Sequence, residues 1–122
     1  MKSTRDIISD FLDAVENRDF DRALSFLSAE EFSYRGPIDH FDDPKVFIQD
    51  ISTIGTILKS IERRRVFIDG NEACVIATYY TTMADLQTTR VAHWIRLKHA
   101  KIISVESFFD VRAYARMFDP EK

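Results

Sequence analysis

The stretch 101–118, KIISVESFFDVRAYARMF, reads as one strand running directly into a short helix. Ile102, Ile103, Val105, Phe108 and Phe109 are strand formers of the kind found in a sheet with one buried face. The strand is expected over 101–110. At Asp110 the period changes, and Val111, Tyr114, Ala115 and Phe118 recur at helical spacing through 111–118. An acid at such a junction has two jobs open to it. It can cap the helix by accepting from the first free backbone N–H groups, or it can point from the strand end into the space the sheet encloses.

Working outward, the residues before this stretch carry the same period of two. Strands are expected over 88–98, 73–83 and 58–69, with Asp69-Gly70-Asn71 as a turn between 58–69 and 73–83. Upstream the period is 3.6. Asp43-Pro44 starts a helix that carries Phe47, Ile48, Ile51 and Ile54 and stops near Gly55. A short strand is expected over 31–35. At the front, Ser3 and Asp6 signal a helix cap, and Ile7, Ile8, Phe11, Leu12 and Val15 share one face. Asn17-Arg18-Asp19 breaks that helix, and Asp19 caps a second one on Phe20, Ala23, Leu24 and Leu27. Helices at the front and antiparallel strands at the back define an α+β class. A curved, mostly antiparallel sheet wrapped around the N-terminal helices buries both sets of apolar faces, in a single domain over 1–122.

Composition excludes several function classes. Net charge is −3 and the one basic block is Arg63-Arg64-Arg65, which is no nucleic-acid footprint. One cysteine, Cys74, leaves no intramolecular disulfide and fits a reducing compartment. No apolar leader and no run of 18 apolar residues is read, so the expectation is a cytoplasmic protein with no membrane contact. Three unclustered glycines provide no phosphate loop. His40, in the acidic loop DHFDD, lacks a second histidine or cysteine at ligand spacing, so neither metal nor cofactor is expected. Ten phenylalanines suit a core or an apolar pocket.

The segments FLDAVENRDFDRALSFL (11–27) and VAHWIRLKHAKIISVESFFD (91–110), with the order of elements, resemble the SnoaL-like branch of the nuclear-transport-factor-2-like superfamily. The resemblance implies a cone-shaped α+β barrel around a small-molecule pocket. Its enzymes differ in the residues they need. Limonene epoxide hydrolase uses an acid and an arginine on one strand and an acid at the end of the last; Asp110 matches only the last of these, with Thr78 and Tyr80 on the strand that should supply the others. Ketosteroid isomerase needs acids where this chain has Arg35, Gly36 and Ala92. The SnoaL cyclases use an acid ending the last strand as base, with a histidine on the preceding strand, which Asp110 and His93 match.

Alternation assigns the faces. Ile102, Ser104, Glu106, Phe108 and Asp110 are expected inside, with Val91, His93, Ile95 and Leu97. The expected catalytic pair is therefore Asp110 and His93, in a pocket lined by Tyr34, Tyr79, Glu106, Phe108, Phe11 and Phe47. Desolvation there would raise the Asp110 pKa and suit it to abstracting a proton beside a carbonyl. The bland readings stand alongside: Asp110 as a cap, His93 as a hydrogen-bonded core histidine, Glu106 paired with an arginine of the 63–65 run. In that run, alternation turns Arg64 one way and Arg63 and Arg65 the other, with one arginine available to an anionic ligand. Arg90, Trp94 and Arg96 face outward and read as a homodimer interface through the sheet, since interface cores favour aromatics and arginine. The expected function is binding of an apolar small molecule, as an isomerase, cyclase or dehydratase; the alternative is a non-catalytic ligand-binding or dimeric interaction module.

Overall fold

A computed structural model describes residues 2–83 and 88–112. Ser3 closes a capping box: its hydroxyl accepts from the Asp6 N–H, and the Asp6 carboxylate accepts from the Ser3 N–H. Helix α1 (Thr4–Glu16) buries Ile7, Ile8, Phe11 and Ala14. Arg18, at φ 60°, turns the chain, and Asp19 caps α2 (Phe20–Ser25). Strands β1 (Ser33–Arg35) and β2 (His40–Phe41) form a small hairpin, of which the sequence reading anticipated only the first arm. Asp43 and Pro44 start α3 (Pro44–Gly55) as expected. Then come β3 (Leu58–Asp69), β4 (Glu72–Thr81), β5 (Thr88–Lys98) and β6 (Lys101–Phe109). The expected helix over 111–118 lies almost wholly outside the described residues.

The six strands run in the order β2-β1-β6-β5-β4-β3, with β1 parallel to β6 and every other pair antiparallel. The curved, open sheet closes over the helices. Its inner face meets α1 and α3 in a core of Ile8, Phe11, Phe47, Ile48, Val75, Ile95, Ile102 and Val105. No helix among the described residues is long and apolar enough to cross a membrane.

Three bulges decide which side chains reach that core. Between β5 and β6, Leu97 faces Ile102 but Arg96 faces Ser104, so Ile103 is an extra residue on β6. One extra residue moves every later side chain to the opposite face. Val105, Ser107 and Phe109 therefore turn inward, opposite Ile95, His93 and Val91. The expected inner set is corrected accordingly: Glu106 lies opposite Trp94 on the outer face, and Phe108 is 51% exposed there. On β3, Lys59 and Arg64 are the extra residues, which leaves Leu58, Ile61, Arg63, Val66 and Ile68 facing in. Arg63 and Arg65 thus fall on opposite faces, not the same one.

Candidate functional site

His93 sits in the middle of β5, on the inner face, with Val75 on one side and Ser107 on the other. Its Nε2 is 2.8 Å from the Tyr79 hydroxyl and its Nδ1 is 2.6 Å from Ser107 Oγ. Tyr79 and His93 meet end to end, with ring centroids 5.9 Å apart. The imidazole lies deep inside the molecule, although the residue keeps part of its surface accessible, as a group on a concave wall does. Burial pushes its pKa down from 6.5 to about 4, since desolvation disfavours the charged ring and its two hydrogen-bond partners among the described residues are hydroxyls. At neutral pH the ring is uncharged, with one N–H and one lone pair.

That fixes what the cluster can do. The three groups hold three protons and the two hydrogen bonds between them use two, so the third proton sits at one end of the chain, on Tyr79 or on Ser107. If Tyr79 donates to Nε2, then Nδ1–H donates to Ser107 and the serine O–H turns outward. If Ser107 donates to Nδ1, then Nε2–H donates to Tyr79 and the third proton stays on the phenol oxygen. Proton position follows the acceptor that each end meets.

Thr81 and Thr89 add buried hydroxyls further along the same faces of β4 and β5. Among the described strand residues Arg63 is the charged member of the inner face, and Asp13 and Glu16 of α1 hold it, at 2.5 Å and 2.6 Å. These hydrogen bonds raise the Arg63 pKa against the cost of burial, which is the largest influence on it. The clamp ties α1 to β3 and leaves this guanidinium already neutralised, so it is not the anion holder that the arginine run suggested.

The other sequence-derived residues are dispersed. Asp110 is at the surface, where both carboxylate oxygens accept from Arg112, the shortest contact being 2.5 Å, and one also accepts from the Arg112 backbone N–H. The Arg112 side chain, with its backbone N–H, pulls the Asp110 pKa down to about 2, the reverse of the rise expected for a buried base. The structure does not bring it to His93. Tyr34 is inside but belongs to an aromatic stack, 4.7 Å from Phe47 and 5.9 Å from Phe41 between centroids. Phe11 and Phe47 are buried in the core. Arg90, Trp94 and Arg96 lie on the outer face, with Arg96 over the Trp94 ring and the indole N–H donating to Glu72. Sequence reasoning missed Ser107. An unbroken two-residue hairpin at His99-Ala100 pairs His93 with Glu106, and only the bulge at Ile103 substitutes the serine.

Comparison with solved structures gives the architecture its name. A protein of unknown function from Cytophaga hutchinsonii superposes with a TM-score of 0.80 at 23% identity, over 98% of this chain and 97% of that one. It is described as NTF2-like. The fold of this chain is the NTF2-like cone. Other proteins with the NTF2-like cone carry chemical descriptions. An epoxide hydrolase from M. tuberculosis matches with a TM-score of 0.73 at 17% identity, over 90% of this chain and 84% of that one. A candidate polyketide cyclase from Sinorhizobium meliloti matches at 0.74 and 14% identity, over 84% and 93%. No protein-family model matches the sequence, and no curated protein sequence does. At these identities the NTF2-like fold is shared and the chemistry is not transferred.

Proposed function

We propose that this domain binds a neutral, largely apolar small molecule inside the cone and hydrogen-bonds one carbonyl or hydroxyl oxygen of it through Tyr79, His93 and Ser107. The observation that supports this is the hydrogen-bonded chain Tyr79–His93–Ser107 on an inner wall whose arginine is already neutralised by two carboxylates. A carboxylate or phosphate ligand would find no uncommitted cation among the described inner-face residues. A ketone or alcohol would find a donor or an acceptor, because the chain supplies either. On such a ligand the chemistry on offer is polarisation of the oxygen and transfer of a proton to or from it, the step that isomerases, cyclases and dehydratases share. In this reading Asp110 is a surface carboxylate held by Arg112 and supplies no base.

The test is a matched set of probes: 2-decalone, 2-decalol and decalin-2-carboxylate, titrated into ¹⁵N-labelled protein. The ketone and the alcohol are expected to shift the His93 ring nitrogens. Tyr79→Phe and His93→Leu should each weaken them roughly fivefold to tenfold, the worth of one net hydrogen bond. Preference for the carboxylate, or binding indifferent to both substitutions, refutes the reading. Asp110→Asn is expected to change neither binding nor turnover; loss of turnover with binding intact would return the base to Asp110.

A second proposal concerns the partner. Phe67, Ile76, Trp94 and Phe108, all 36–51% exposed, occupy adjoining rows of β3 to β6 on the outer face. Arg65 and Arg96 lie over two of these rings, and Glu62, Glu72 and Glu106 stand on the same face. An apolar centre with both charge signs around it is self-complementary under a two-fold axis, so the occupant is a second copy of the chain. Light scattering should give twice 14.2 kDa, and Trp94→Glu with Phe108→Arg should halve it. A wild-type monomer at micromolar concentration refutes the pairing.

A further inference from the structure

The register across β4 and β5 places Val75, not Tyr79, opposite His93. Tyr79 stands four residues further along, roughly 13 Å at about 3.3 Å per residue. Neither side chain spans that distance alone, yet the phenol oxygen and Nε2 are 2.8 Å apart. Both must therefore lean along the strands and meet above the row between them. That row is Ala77 on β4 and Val91 on β5, which are 2% and 6% exposed. A long side chain at either position would occupy the place where the two rings join.

We propose that Ala77 is a positioning residue for this site: the absence of a side chain beyond its Cβ is the gap across which Tyr79 reaches His93. The alanine then governs whether the phenol lies along the wall, bonded to the imidazole, or stands away from it into the cone. Substitution there switches Nε2 from a bonded to an unbonded state without touching either ring. Ala73, on the same strand and face, opposite Ile95 and 3% exposed, lies on the far side of His93 from Tyr79. It is the matched site at which added bulk crowds the core but not the junction.

The experiment reads the unliganded protein, so it can fail while the ligand reading stands, and the converse. The ring ¹⁵N shifts of His93 are measured in the wild type, Tyr79→Phe, Ala77→Gly, Ala77→Val, Ala77→Leu and Ala73→Val. Ala77→Val and Ala77→Leu are expected to move the Nε2 shift to its value in Tyr79→Phe. Ala77→Gly and Ala73→Val are expected to keep the wild-type value. If the leucine variant fails to fold, the valine variant, which adds only two methyl groups, decides. A wild-type Nε2 shift in Ala77→Val overturns the proposal, and so does an equal displacement in Ala73→Val.

Discussion

Protonating His93 should destabilise the protein over a defined pH window. The imidazole pKa is 6.5 when solvated and about 4 in the fold, where burial opposes the charge. Between these values the unfolded chain binds the proton and the folded chain does not. The unfolded state holds more protons, so stability rises with pH across the window and falls as pH drops through it. Above pH 6.5 both states are neutral at this site and nothing is lost; below about 4 both are charged and the loss is complete. At about 1.4 kcal/mol per unit, the displacement amounts to about 3 kcal/mol, a large share of the stability of a domain this size. The carboxylates work elsewhere: Asp110 and Asp10, both lowered, lose their contributions below 3.8. Asp50, raised by burial, strengthens the fold as pH falls near that value. The assay is urea denaturation at pH 7.0, 5.5 and 4.5 for the wild type and His93→Gln. The glutamine keeps an amide donor and acceptor in place of the ring but does not titrate. The wild type should lose about 2 kcal/mol more than the variant between pH 7.0 and 4.5. Equal losses would refute the account, because every other group is the same in both proteins.

Three further outcomes follow from single contacts. Arg63→Leu should cost about 1–2 kcal/mol and loosen α1, since it removes the partner of both Asp13 and Glu16; in 1 M salt the difference in urea melts should shrink. Gly36→Ala places a Cβ 2.5 Å from the Tyr34 hydroxyl, and Tyr34 cannot swing away because its ring is stacked on Phe47 and Phe41. A loss of about 1–3 kcal/mol is expected, with partial recovery in Gly36→Ala combined with Tyr34→Phe. Ala100→Gly should raise stability by about 1 kcal/mol in the same assay, because alanine sits at φ 63° in the β5–β6 turn, where only glycine is unstrained.

Much of the fold is legible because it rests on local rules. The helix starts at Ser3, Asp19 and Asp43-Pro44 are where a side-chain oxygen meets free N–H groups, and the structure uses each one. The bounds of β3 and β5 are those expected from the sequence, although two bulges break the two-residue period inside β3. The faces of β6 are not legible in that way. Counting inward from Ile102 gives Glu106, Phe108 and Asp110; counting back from Phe109 gives Ser107, Val105 and Ile103. Both sets contain enough apolar residues to satisfy a buried face. The second set avoids burying two carboxylates, but Ile102 belongs to the first, and the strand satisfies both through a single unpaired residue whose cost and gain are settled by packing against β5 and β1. Leu27 stands beside Ile102 and Tyr34 beside Val105, two buried residues three apart and so of opposite phase, and the extra Ile103 between them absorbs the mismatch.

That one residue changes the chemistry more than the fold. In the unbulged register His93 faces Glu106, and a buried carboxylate against an imidazole favours the charged pair, which raises the histidine pKa and supplies a base. In the register observed, Glu106 is outside with Trp94 and the imidazole faces a hydroxyl, so the ring stays neutral and its pKa falls. A site with an ionised dyad attracts a cation or activates water. A hydrogen-bonded chain of hydroxyl, neutral imidazole and hydroxyl carries no such charge, and the proposed uncharged ligand rests on that difference. The same sequence one residue out of phase would build the first, and the unpaired Ile103 is what separates the two.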